Sequence, residues 1–320
     1  MTLTLLLLLS PALHAESVGI AELSPKTEAA IDRGLQFLSN SQLDDGTWGT
    51  PYPVAKTSLG LMAFMLRGNF PDEPPYGAKL ARAVNYLIDT SEKGGGYMGS
   101  SMYAHGLATL ALSEVWGMSE REELRDVLKA AVKVIIGSQN KQGGWRYKPE
   151  PQDADISVTV MQIVALASAS EAGIHVPQEV IDKALIYVKN CQNRFKGGFG
   201  YTPSGGPGFA RTAAGVMSLQ MCGERNTRAV KAGLYFLKQY PDKKFTMETH
   251  YFYAHYYAIQ AMYQAGEEHY ETWYPRIRNA LLSKQTGNGS WKSGNGDAYA
   301  TGMAILILGV PYRFLPIYQR

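Results

Sequence analysis

The sequence predicts an all-α chain of six two-helix repeats, and three observations carry that prediction. A short phrase recurs about every fifty residues, an amphipathic helical pattern precedes it, and an apolar helical pattern follows it. The phrase reads Q-x-x-x-G-x-W in three copies: Gln42 to Trp48, Gln139 to Trp145 and Gln285 to Trp291. Two weaker copies close on other aromatics, Gly94-Gly-Gly-Tyr97 and Gln192 to Phe199. The closing aromatics at 48, 97, 145, 199 and 291 are 49, 48, 54 and 92 residues apart, the last step covering two periods with a degenerate copy near Phe245. Self-similarity at a fixed period of this size marks a repeat architecture, in which each unit buries its apolar face against its neighbours.

Each repeat opens on an amphipathic helix. Ile31, Leu35 and Leu38 share a face ahead of the first phrase, Leu80, Val84 and Leu87 ahead of the second, and Leu128, Val132 and Ile135 ahead of the third. Charges such as Glu28, Asp32, Arg33, Lys129 and Lys133 fall between them, so these helices have one wet face and belong on the outside. A large aliphatic residue stands ten positions before the aromatic in four copies: Leu38, Leu87, Ile135 and Leu281. The glycines of the phrase then stop the helix, because glycine accepts the left-handed backbone found past a helix C-terminus. A second, less charged helix follows over 55–67, 102–116, 157–172, 211–222, 251–264 and 299–308. Small residues recur in register there (Gly60, Gly106, Gly215, Ala258 and Ala304), which suits inner helices packed closely on several sides.

With 320 residues the chain is long enough for a large core, and the period leaves no room for a second domain beside residues 16–320. A net charge of +3 and the lack of any Lys/Arg run argue against a nucleic-acid partner. Residues 1–15 differ: Leu3 and Leu5 to Leu9 form an apolar run, broken at Ser10-Pro11 and followed by Ala12-Leu-His-Ala15. This fits a secretory signal peptide over 1–15, without the usual basic start, and implies a periplasmic or secreted protein. The run is too short for an ordinary transmembrane helix. The two cysteines, Cys191 and Cys222, end consecutive antiparallel helices and so lie roughly 15 Å or more apart at 1.5 Å rise per residue. A disulfide needs Cα atoms within about 7 Å, so two free thiols are expected.

The phrases resemble the QW motifs of the terpenoid cyclase and protein prenyltransferase superfamily. Gly197-Gly-Phe-Gly200 resembles the G-G-F-G loops of prenyltransferase β subunits, and Gly144-Trp-Arg-Tyr147 resembles the squalene cyclase repeat. The resemblance covers about residues 26–320 and implies an α6–α6 toroid, six inner helices around a central cavity and six outer helices around those. In such a ring every inner helix starts at the same end, so six N-termini with free N–H groups and partial positive charge converge there. That end favours an anionic group. The repeated Gln42, Trp48, Gln139, Trp145, Gln285 and Trp291 are expected to be architectural, the amide bonding loose backbone and the indole packing between repeats. Near the converging ends stand Thr57, Tyr103, His105, Thr159, Arg211, Thr212, His250, His255, Tyr299 and Thr301, and a rim of tyrosines at 97, 147, 201, 251, 253 and 299. Of these, Tyr103, His105, Tyr147, Arg211, His250, His255 and Tyr299 are the candidate ligand contacts. An aromatic rim over an apolar cavity suits a hydrophobic or cationic ligand.

Tested against the chemistries that the resemblance brings, the residues match none in full. Squalene-hopene cyclases need an acidic D-x-D-D motif. Asp153-Ala-Asp155-Ile156 keeps two of the three aspartates, so Asp153 and Asp155 are the candidate acids; Asp155 or Ser157 capping the third inner helix is the competing reading. Prenyltransferases hold zinc through Asp, Cys and His, yet no cysteine starts an inner helix here. His250 and His255 stand roughly 140° apart on a helix, unlike a zinc-binding i, i+4 pair, so no metal site and no cofactor is expected. Cys222-Gly-Glu-Arg225 has arginine where a thioester needs glutamine. A glycosidase reading would need two of Asp153, Asp155, Glu248 and Asp297 about 5–10 Å apart. Arg146 and Arg211 each admit an anion-binding role or a surface ion pair. The function expected is therefore an exported binding or scaffold protein for a hydrophobic small molecule or lipid, an isoprenoid with an anionic head being one candidate. An acid-using isomerase or lyase of terpenoid-cyclase type is the alternative. A protein-binding ring, its centre filled by residues such as Met62, Phe64, Met161 and Met217, is the third. The tail over 311–320 is expected to pack on the first repeat and close the ring.

Overall fold

The structure, a computed structural model, describes residues 23–119, 121–240, 245 and 248–312; the expected signal peptide over 1–15 lies outside the described residues. Twelve α-helices are described. The outer helices are α1 (Pro25–Ser41), α3 (Gly77–Lys93), α5 (Leu124–Gly137), α7 (Gln178–Asn190), α9 (Arg228–Lys238) and α11 (Glu267–Lys284). The inner ones are α2 (Pro53–Leu66), α4 (Met102–Met118), α6 (Ile156–Glu171), α8 (Phe209–Met221), α10 (Tyr251–Gln264) and α12 (Asp297–Leu308). Outer helices bury one stripe, Ile31, Leu35 and Leu38 in α1 for instance, whereas α2 is buried from Val54 to Leu66.

The inner helices form a closed ring. Each packs on the inner helix before and after it, and α12 packs back on α2. The chain is thus an α6–α6 toroid. Small residues set the spacing: a Cβ added at Gly302 of α12 would lie 3.1 Å from Leu59 of α2, and one at Gly60 would lie 2.9 Å from the Trp48 ring.

The repeated phrase is the fastener of each hairpin. Trp48, Trp145 and Trp291 donate from Nε1 to the carbonyls of Leu38, Ile135 and Leu281 at 2.8, 2.7 and 2.8 Å. This explains the ten-residue interval between aliphatic and aromatic positions, since the indole must reach back to the last turn of the preceding helix. The glutamine bridges two repeats. Gln42 donates to Gly46 and Lys79 carbonyls, Gln139 to Gly143 and Val180, and Gln192 to Gly197 and Ala229. Gln285 donates to Gly289 and to Ala30 of α1, so the last repeat is tied to the first. The phrase glycine is required twice over at Gly46: its φ is +85°, and a Cβ would stand 2.5 Å from the Arg82 carbonyl oxygen of the next outer helix.

The described end of the chain also reaches the first repeat. Tyr312 donates to Glu28 at 3.5 Å and lies under the Arg67 guanidinium at 5.0 Å. Residues 313–320 of the expected closing tail lie outside the described residues.

Candidate functional site

The six inner helices begin around one cavity of about 1210 Å3. Its wall takes a first-turn residue from every inner helix: Lys56, Tyr103, Ser157, Arg211, Tyr253 and Tyr299. Tyr147, Tyr201, Tyr240, Glu248 and His250 add to it from the loops. A side chamber of about 580 Å3 adjoins it, sharing His250, Tyr253, Asn295 and Tyr299 and adding Tyr251, Lys284 and Lys292. The convergence of helix starts expected from the ring is therefore present, and it surrounds open space.

The space does not run through the ring. Tyr103 of α4 and Tyr253 of α10 come from opposite sides, yet their ring centroids are 6.1 Å apart. Tyr253 stacks edge-on against Tyr257 at 4.9 Å, and Tyr257, fully buried, donates to the Met161 sulfur of α6 at 3.5 Å. Tyrosine and methionine thus fill the centre beneath the cavity. Burial raises Tyr103, Tyr253 and Tyr257 well beyond their ordinary value, so all three stay neutral. The hydroxyl of Tyr251 and the Nε of Arg211 are buried without a hydrogen-bond partner.

Five of the seven residues read as ligand contacts line this space: Tyr103, Tyr147, Arg211, His250 and Tyr299. His105 and His255 do not; the structure puts both inside the wall with no exposed surface. His105 Nδ1 accepts from the Met98 N–H at 3.1 Å, so Nε2 carries the proton and donates to Ala131 of α5 at 3.1 Å. The second phrase has no glutamine, and His105 makes its bond to the next outer helix instead. His255 donates to Phe245 at 2.9 Å and is boxed by the rings of Phe209, Phe245 and Tyr251. Burial lowers both imidazoles to about 4. Thr159, Thr212 and Thr301 are likewise frame residues, accepting from the N–H of Trp145, Phe199 and Trp291. Tyr97 packs on His105 at 5.3 Å rather than lining the cavity.

Asp155 is the N-cap of α6. Its Oδ1 accepts from the N–H groups of Ser157 and Val158 at 2.8 and 3.0 Å, an arrangement worth about 1 kcal/mol. The residue is fully buried behind the cavity wall, and Arg146 approaches its Oδ2 at 3.5 Å. Desolvation raises the carboxyl, while the two N–H donors, Tyr201 and Arg146 oppose that rise. Asp153 is exposed and pairs with Arg146 at 3.4 Å. Arg146 lies 5.3 and 5.4 Å over the rings of Tyr147 and Tyr201, whose hydroxyls bond at 2.8 Å, so it has the ion-pair role of the two open to it. Asp297 pairs with Lys292, and Glu248 accepts from Tyr240 at 2.9 Å. Glu248 is the one carboxylate among the described residues of the main cavity wall, so no pair of described carboxylates faces it.

Lys56, which the sequence reading passed over, lines the cavity with only 5% of its surface exposed. Cys191 and Cys222 are both free, at the C-caps of α7 and α8, and burial raises each thiol to about 12. No cluster of three or more His, Cys, Asp or Glu suited to a metal occurs among the described residues.

The sequence of residues 65–240 matches the prenyltransferase alpha-alpha toroid domain. The chain belongs to this family. No curated protein matches it by sequence. Among solved structures it is similar to a variant of the type II terpene cyclase MstE from Scytonema in complex with its product merosterolic acid A, at 14% identity over 89% of this chain and 95% of that one, TM-score 0.59. It is similar also to an inactive variant of the α-1,6-mannanase GH76A from Salegentibacter with α-1,6-mannotetrose, at 8% identity over 91% and 100%, TM-score 0.66. A third is cellobiose 2-epimerase from Bacillus thermoamylovorans, at 11% identity over 88% and 98%, TM-score 0.65. At these identities the likeness is one of fold.

Proposed function

We propose that this toroid is an exported binding protein whose cavity takes a hydrophobic molecule bearing an anionic group. The observation that carries the reading is the cavity of about 1210 Å3 ringed by six inner-helix starts. Apolar and aromatic walls supply the affinity, and helix N-termini with Lys56 and Arg211 supply positive potential where an anion would sit. The Scytonema cyclase, held with a terpenoid acid, is a precedent for such a ligand in this fold. Export rests on the apolar run of residues 1–15. The test is mass spectrometry of an organic extract of the mature protein from its native compartment. A lipid or isoprenoid acid near 1:1 is the expected result, with an N-terminus beginning after residue 15. An empty extract would favour the protein-binding ring, since the centre beneath the cavity is indeed filled by Tyr257 and Met161.

A second reading, an isomerase or lyase using an aspartic acid, draws on the raised carboxyl of Asp155. Its position as a cap behind the wall opposes it. Asp155→Asn separates the two: the binding reading expects unchanged ligand affinity and a stability loss of about 1 kcal/mol. Loss of a turnover at unchanged melting temperature would favour the enzyme.

A further inference from the structure

Lys56 is a buried cation with no counter-ion. It stands in the first turn of α2, where its Nζ donates to the Thr50 carbonyl at 3.0 Å. That uses one of the three N–H donors of an ammonium. No described carboxylate pairs with it. Withdrawing the ammonium from water in this way costs free energy and lowers its hold on the proton, and an anion arriving in the cavity would offset that cost. The open side of Lys56 is the cavity.

The surroundings of Lys56 suit an anion. A Cβ built on Gly296 would come 3.1 Å from its Nζ, so the start of α12 lies against the ammonium. Neither α2 nor α12 has a side-chain cap, whereas α4 and α6 are capped by Ser101 and Asp155. The first-turn N–H groups of both helices beside Lys56 are therefore free of side-chain acceptors. Arg211 differs from Lys56, for it shares the neighbourhood of Tyr240 with Glu248.

We propose that Lys56, at the seam of the first and last hairpins, is the counter-ion for the bound molecule's anionic group, a carboxylate or a phosphate monoester. The proposal rests on reading the cavity as the binding site for a hydrophobic molecule. It makes Lys56 a residue kept for binding at the expense of stability, since an apolar residue of similar length would fit the same wall without a charge.

The experiment uses the mature chain with three probes sharing one tail: farnesoic acid, farnesyl monophosphate and farnesol. Binding to each is measured by calorimetry for the unaltered protein, Lys56→Met and Lys56→Arg, alongside the melting temperature of the free proteins. The unaltered protein is expected to prefer an anionic probe to farnesol by roughly 10-fold or more, the size of a charge-assisted contact. The tighter of the two anions identifies the head group. Lys56→Met should remove the preference, leave farnesol affinity within about two-fold and raise the melting temperature; Lys56→Arg should keep most of the preference. Persistence of the preference in Lys56→Met overturns the proposal and leaves the cavity reading standing. A lower melting temperature with equal losses for all three probes also overturns it, making Lys56 a tie to Thr50. Failure of all three probes to bind the unaltered protein overturns both readings.

Discussion

His105 and His255 show how a polar side chain in an apolar helix is committed to the frame rather than to a ligand. Both imidazoles are buried and neutral, lowered to about 4 from an ordinary value near 6.5. Between those values the unfolded chain binds protons that the folded chain does not, so stability is full above about pH 6.5 and falls as the pH drops towards 4. Each histidine contributes up to about 1.4 kcal/mol per pH unit inside that window. Thermal melting between pH 7 and 4.5 should show this loss, and His105→Gln should flatten the slope by about one histidine's share. An unchanged slope in the variant would mean that His105 is protonated in the fold. The sequence could not disclose this role, because the partners Met98 and Ala131 lie 7 residues before and 26 residues after His105 and meet it only through the hairpin geometry. Lys56 was illegible for a related reason: in sequence it is one lysine in the first turn of a helix, and the approach of Gly296, from the far end of the chain, to its ammonium appears only in the closed ring. Tyr103, Arg211, His250 and Tyr299 were legible as cavity residues because inner-helix starts must converge in a ring.

At the scale of the element, the Q-x-x-x-G-x-W phrase performs three separate tasks, which is why it could be read so directly. The glycine turns the chain where a Cβ would strike the neighbouring helix, the tryptophan ties the loop to the preceding outer helix, and the glutamine ties it to the next one. Helix positions followed from this punctuation, and the apolar stripes gave the outer and inner faces. What periodicity could not supply was which loop side chains turn inward, since a loop residue has no helical face to be assigned to. The model of three tasks predicts unequal costs for single changes. Gln139→Met keeps the volume and removes two donors, leaving the Gly143 and Val180 carbonyls to other partners, so it should cost about 1–2 kcal/mol in denaturant melts. Gly46→Ala must strain a left-handed backbone and displace the Arg82 carbonyl, so it should cost more than the glutamine change. The reverse order would show that the glutamine bridge, rather than the backbone approach, sets the stability of the hairpin.

At the scale of the whole molecule, closure distinguishes this ring from an open array of the same hairpins. An open array has terminal repeats with one unpaired face and can fray from its ends. Here α12 packs on α2, Gln285 bonds the Ala30 carbonyl of α1, and Tyr312 rests between Glu28 and Arg67. The same closure makes the cavity, because Lys56 and Asn295 become wall neighbours only when the first and last hairpins meet. Stability and ligand binding are thereby coupled at one seam. Deleting residues 311–320 removes Tyr312 and should lower the melting temperature by a few degrees, the shift that about 1–2 kcal/mol produces in a large domain. It should also weaken binding of an anionic probe more than that of farnesol, since a loosened seam lets water reach Lys56 and screens its charge. Gln285→Met, which cuts the seam at a different bond, should reproduce the same paired effect, whereas Gln139→Met, of equal chemistry but far from the seam, should lower stability and leave probe preference intact. If the two glutamine changes prove alike in binding, closure does not organise the cavity and the seam is only one more inter-repeat contact.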